Sequence, residues 1–143
     1  MPTQPRAKQE LQRILVVDDE RVIADTLGVI LRQAGFAVDV AYSGTEGVER
    51  ARSIRPSLIL SDVVMPDMNG IEMAIRVSKE QPDCRILLFS GQAASADLLN
   101  SARSQGYDFH IIAKPVHPQD LIQYIRKSVS ALNPPPRSGS LTA

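Results

Sequence analysis

Ile14-Leu15-Val16-Val17-Asp18-Asp19-Glu20 is the stretch on which the fold turns. Four apolar residues run without interruption, and three acids follow at once. A strand with one wet face alternates apolar and polar residues. A short continuous apolar run is covered on both faces, as in a parallel sheet with helices on either side. The acids then fall at the carboxyl end of that strand, the edge where open α/β sheets gather ligands.

Further runs of the same kind recur downstream at Ala37–Ala41, Leu58–Leu60, Ile86–Phe89 and Phe109–Ala113. Ala37–Ala41 alone carries a charge mid-run, Asp39, which marks it as the edge strand. Between the strands the apolar period becomes helical. Ile23, Leu27, Ile30, Leu31 and Ala34 share one helix face, stopped by Gly35. Gly44–Ser53 is a second helix, closed before Pro56. Asn69-Gly70 opens a third, which ends before Pro82, and Ala94–Gln105 is a fourth, stopped by Gly106. The fifth begins at Pro118, where a missing N–H costs nothing, and aligns Leu121, Ile122, Ile125, Val129 and Leu132. Strict strand–helix alternation predicts a doubly wound, five-stranded parallel α/β sheet with right-handed crossovers.

Composition sets the class. With 16 basic and 16 acidic residues in 143, the formal charge is zero, which argues against a dedicated nucleic-acid binder. No apolar run has the length of a membrane span, and Met1–Gln12 has no secretory core. A single cysteine, Cys84, excludes an internal disulfide and a cysteine-rich metal site and suits a cytoplasmic setting. Residues 1–12 read as an N-terminal extension, 13–132 as the domain, and 133–143, with Pro134-Pro135-Pro136, as a solvated tail.

The chemistry follows from the strand ends. The first ends in Asp18-Asp19-Glu20, the third in Ser61-Asp62, the fourth in Ser90-Gly91, and Lys114-Pro115 follows the fifth. Each residue alone reads equally as a cap, a turn former or a solvated charge. Together they put carboxylates, a hydroxyl and an ammonium on one rim. Clustered carboxylates repel, and a hard divalent cation such as magnesium relieves them. A metal, a lysine and a nucleophilic carboxylate make a minimal kit for phosphoryl transfer.

These pieces, with Ser61-Asp62-Val63-Val64-Met65-Pro66-Asp67-Met68-Asn69-Gly70 and Phe89-Ser90-Gly91, closely resemble the receiver domain of two-component response regulators over about Arg13 to Leu132. The resemblance implies a flavodoxin-like, three-layer α/β/α fold with strand order 2-1-3-4-5. It implies Asp62 as phosphoacceptor, and Asp18, Asp19, Asp62 and the Val64 backbone carbonyl as ligands of Mg2+. Ser90 is implied as the switch hydroxyl, Lys114 as the phosphoryl-pairing lysine, and Lys114-Pro115 as a cis peptide. Val64 and Gln92 would border the site, Val64 tuning the phosphoryl lifetime. The sequence departs from the family at Ile111, where an aromatic normally stands three residues before the lysine; either His110 or Phe109 substitutes after a local shift, or the aromatic coupling is absent. Gly106 also lies one residue farther from the lysine than usual.

The implied function is a stand-alone receiver, not a conventional enzyme, that catalyses only its own phosphorylation and dephosphorylation. Its partners would be a sensor histidine kinase or histidine phosphotransfer protein and a downstream protein target, with homodimerisation open. Nucleic acid, membrane and small molecules other than phosphodonors are not expected. The rivals are a phosphorylation-independent adaptor, a fragment of a longer regulator, and a magnesium-dependent phosphatase. The last usually has a second acid two residues after its nucleophile, where this chain has Val64. His110 reads as isolated, His117 as the cap of the last helix, Cys84 as a small buried or half-buried residue opening a strand, and Tyr124 as an amphipathic edge residue. Arg50, Arg52 and Arg55 read as a solvated face.

Overall fold

A computed structural model describes residues 12–91 and 95–130. Along the chain run β1 (Arg13–Val17), α1 (Arg21–Gln33), β2 (Ala37–Ala41), α2 (Gly44–Ile54) and β3 (Leu58–Asp62). Then come α3 (Gly70–Glu80), β4 (Arg85–Ser90), α4 (Ser95–Ser104), β5 (His110–Ala113) and α5 (Pro118–Ser130). All strand pairs are parallel, in the order β2-β1-β3-β4-β5. The strand carrying Asp39 does lie at an edge.

Period-two alternation divides each central strand between two cores. Leu15, Val17, Ile59, Ile86 and Leu88 face the layer of α2, α3 and α4. Ile14, Val16, Leu58, Leu60, Leu87 and Phe89 face α1 and α5. Full burial of such a side chain stabilises by about 1.5–3 kcal/mol, so the central strands, wet on neither side, anchor the domain. α5 presents Leu121, Ile122, Ile125 and Val129 to this second core, as its period predicts; Leu132 lies outside the described residues.

Helix ends follow local chemistry. Gly35 adopts φ 102° and Gly106 φ 94°. At the first, Phe36 N–H bonds to Leu31 O and Gly35 N–H to Arg32 O; at the second, Tyr107 and Gly106 bond likewise to Ala102 and Arg103. Both are Schellman closures, which need a left-handed residue. Ser43 accepts from Glu46 N–H and Asn69 from Glu72 N–H at the starts of α2 and α3. His117 caps α5, its Nδ1 accepting from Gln119 N–H at 3.1 Å.

Several boundaries differ from the sequence reading. β5 starts at His110, one residue later than expected, and Phe109 instead packs into the first core. β4 opens at Arg85; Cys84 precedes it, half-buried, and burial pushes its thiol up to about 12. α4 is described from Ser95, Ala94 being outside the described residues. The three arginines lie on a solvated face, as read from sequence, but two of them pair with acids there. Arg52 makes a two-pronged bond to Glu80 of α3 at 2.8 and 2.6 Å, Arg50 lies 3.6 Å from Glu46, and Arg55 is the C-cap of α2.

Candidate functional site: an acidic rim with one lysine

The rim at the strands' carboxyl ends assembles from three directions. Asp18, immediately after β1, is 2% exposed. Its Oδ1 accepts the Glu20 N–H at 2.9 Å, bending the chain into α1. Its Oδ2 is buried with no protein partner. Asp62 is the last residue of β3, paired in register with Phe89 of β4. Carboxylate oxygens of Asp18, Asp19 and Asp62 lie within 4.8 Å of one another. Lys114, just past β5, places Nζ 3.0 Å from Asp62 Oδ1, and its backbone N–H bonds to Ser90 O at 3.1 Å. Ser90 is the last residue of β4 and pairs with Ala113. The strand-end convergence expected from sequence is thus present in space, and the Lys114–Pro115 bond is cis.

Electrostatics mark Asp18 as the strained member. Burial holds its carboxyl above the ordinary 3.8; the Glu20 N–H works against this, Asp62 adds to it, Lys114 opposes it and Asp19 adds again. A buried, unpartnered carboxylate oxygen facing two further acids is a configuration that a hard cation relieves. The residues therefore fit magnesium: Asp18, Asp19 and Asp62 would supply carboxylates, with the Val64 carbonyl as the further ligand implied by resemblance. Val64 itself is 47% exposed, two residues beyond Asp62. Gln92 lies outside the described residues.

The backbone behind Asp62 was not legible. A Cβ on Gly70 would sit 2.1 Å from the Asp62 carbonyl oxygen and 3.1 Å from Ser61 Oγ. The first turn of α3 therefore presses directly on the Asp62 peptide, and Ser61 Oγ donates to the same oxygen at 2.9 Å. Asn69-Gly70 was the one sequence signal here, and it reads only as a helix start. Phe89 lies beneath Lys114, its ring centroid 5.9 Å from Nζ.

Ile111 occupies the position three before the lysine with no register shift, pairing with Leu88 and packing on the first core with Phe109. Phe109 stacks on Tyr107 at 5.8 Å. His110 points to the opposite face. It is not isolated: Nε2 bonds the Tyr124 hydroxyl of α5 and the rings meet edge-on at 5.1 Å.

Fold and rim define a doubly wound, five-stranded α/β domain with an acidic site at the carboxyl edge of its sheet. The chain belongs to the response regulator receiver domain family, whose model matches residues 14–126. It is 35% identical over 115 residues to the DNA-binding response regulator MtrA of Mycobacterium tuberculosis, covering 80% of this chain and 49% of that protein. It is 36% identical over 121 residues to the response regulator receiver protein CpdR of Brucella abortus, covering 85% of this chain and 99% of that protein. Its fold is similar to a CheY-like receiver domain protein from Methanospirillum hungatei, with TM-score 0.78 and 31% identity over 86% of this chain and 97% of that one. The chain spans about half the length of the MtrA relatives it matches. No helix among the described residues is long and apolar enough to cross a membrane.

Proposed function

We propose that Asp62 accepts a phosphoryl group from a phosphohistidine on a sensor histidine kinase or histidine phosphotransfer protein, and that the phosphorylated domain signals by binding a downstream protein in the cytoplasm. The carrying observation is the Asp62 carboxylate held 3.0 Å from Lys114 Nζ beside two further acids. An Asp62 oxygen attacks phosphorus, the bond from phosphorus to the donor imidazole nitrogen breaks, and the imidazole leaves with that electron pair. Lys114 moves from the carboxylate to a phosphoryl oxygen, and the Ser90 hydroxyl donates to another. Bound Mg2+ would supply charge neutralisation for the carboxylates and the incoming phosphoryl oxygens. Autodephosphorylation would run by attack of water on the acyl phosphate. Exposed, apolar Val64 offers that water no hydrogen bond, so Val64→Asn should shorten the phosphoryl lifetime, read as the decay of the phosphorylated mass.

Incubation with Mg2+ and acetyl phosphate, followed by intact-mass measurement, tests the core of this reading. One added phosphoryl group, absent in Asp62→Asn, is expected. No modification by acetyl phosphate or by a phosphorylated histidine donor would leave the adaptor reading in its place. Turnover of a free phosphoester would favour the phosphatase. The stand-alone arrangement is supported by the match across nearly the whole of CpdR. The half-length match to MtrA supports the second reading, a receiver within a longer regulator.

A further inference from the structure

We propose that the domain carries a second site, for a small organic phosphate, at the foot of the sheet beneath α5. A cleft of about 590 Å³ opens there, with Arg85, His110, Tyr124 and Lys127 in its wall. That volume falls within the roughly 300–1,000 Å³ of small-molecule sites. Arg85 begins β4 and His110 begins β5, so the cleft lies at the strands' amino ends. At ~3.3 Å per residue, some five residues of β4 separate Arg85 from the acidic rim, and from there the cleft extends along α5 as far as Asp120 in its first turn. It shares no residue with that rim, and nothing in it depends on Asp62 being phosphorylated.

Strand alternation explains the first cation. Leu87 and Phe89 face α1 and α5, and Arg85 continues the same face, placing a guanidinium where the two residues above it are apolar. Helix period explains the second. On α5, Asp120, Gln123, Tyr124 and Lys127 recur at intervals of three and four, a polar stripe flanking the buried Leu121, Ile122, Ile125 and Val129. The stripe lines the cleft.

Charge identifies the ligand. Among the described residues, no carboxylate pairs with Arg85 or Lys127, whereas Arg52 and Arg103 each have one at 2.6 and 3.2 Å. Two unpaired cations and one acid, Asp120, leave the cleft net positive. An adjoining cleft of about 470 Å³ shares Arg85 and His110 and brings in Asp83 and Asp108; Asp108 is taken by Arg103. Arg85 offers a planar fork and Lys127 a point charge, the two donors best suited to phosphate. The hydrogen bond between His110 and Tyr124 joins their rings edge to face in the cleft wall. An aromatic edge and face in the wall suit a flat ring, and Gln123 and Asp120 can accept its N–H donors. The ligand class is a monophosphate bearing a flat, amino-substituted ring.

The test uses AMP as probe on the whole chain in a metal chelator, so that magnesium plays no part at the rim. Calorimetry is expected to show saturable one-to-one binding, stronger than that of inorganic phosphate. Arg85→Gln and Lys127→Gln should each weaken it at least roughly tenfold, the loss of one charge-assisted hydrogen bond, and Asp62→Asn should leave it unchanged. Absence of saturable binding, indifference to both cation substitutions, or loss in Asp62→Asn would each overturn the site. Equal affinity for inorganic phosphate would overturn the organic part of the assignment. Both cations are exposed, and matching unfolding midpoints confirm that the variants fold; should one not, the other decides.

Discussion

Gly70 shows how strongly one absent side chain can govern the placement of Asp62. With a Cβ at 2.1 Å from the Asp62 carbonyl oxygen, no rotamer adjustment would relieve the clash, because both partners are backbone. Gly70→Ala should therefore displace α3 or the end of β3. The expected cost is about 1–3 kcal/mol by urea denaturation, with slower labelling of Asp62 by acetyl phosphate. Wild-type stability and labelling in this variant would contradict the proposed support. Sequence periodicity could not reveal it, since the contact is between a helix start and the strand end eight residues earlier. The acids themselves were legible because each ends an apolar run. The orphaned Asp18 Oδ2 was not, because burial of a single oxygen depends on packing from several elements.

Among the elements, α2 ends on a conformation that its residue resists. Arg55 adopts φ 48°, ψ 68° as the C-cap, and a left-handed L-residue costs roughly 1–2 kcal/mol. Glycine removes that cost but adds about 0.4–1 kcal/mol of unfolded-state entropy. Arg55→Gly should thus raise stability by about 0.5–1 kcal/mol, read as a higher urea midpoint at unchanged slope; a lower midpoint would contradict it. At this scale the sequence was a good guide wherever a glycine or proline punctuates, as at Gly35, Gly106 and Pro118. It was weaker at β5. That strand is short, at an edge, and preceded by Tyr107 and Phe109, whose stacking continues the β-like aromatic pattern beyond the pairing residues. The bond between His110 and Tyr124 was also invisible, because it joins a strand to a helix across a connecting loop.

For the molecule as a whole, the acidic rim should make stability depend on pH and on added divalent cation. Asp18 holds its proton more tightly folded than unfolded. Its stabilising contribution is fully present below the unfolded value of 3.8 and is lost as pH rises through the raised folded value. In chelator, Asp18→Asn should therefore become progressively more stable than the parent over that rise and remain so at neutrality. Comparing the two proteins cancels groups of opposite sign, such as Glu80, which Arg52 holds below its ordinary value. Added Mg2+ should raise the parent's unfolding midpoint by mass action and do less for the variant. A parent-to-variant difference flat with pH would contradict the Asp18 assignment.

The rim also sets a timetable. Asp18 and Asp62 meet once β1 pairs with β3, but Lys114 reaches Asp62 only after β5, the last of the five strands, has docked on β4. A nascent chain still lacking β5 would carry its acids without their lysine. Competence for modification should therefore appear abruptly and late in translation, so that a half-made domain sends no premature signal.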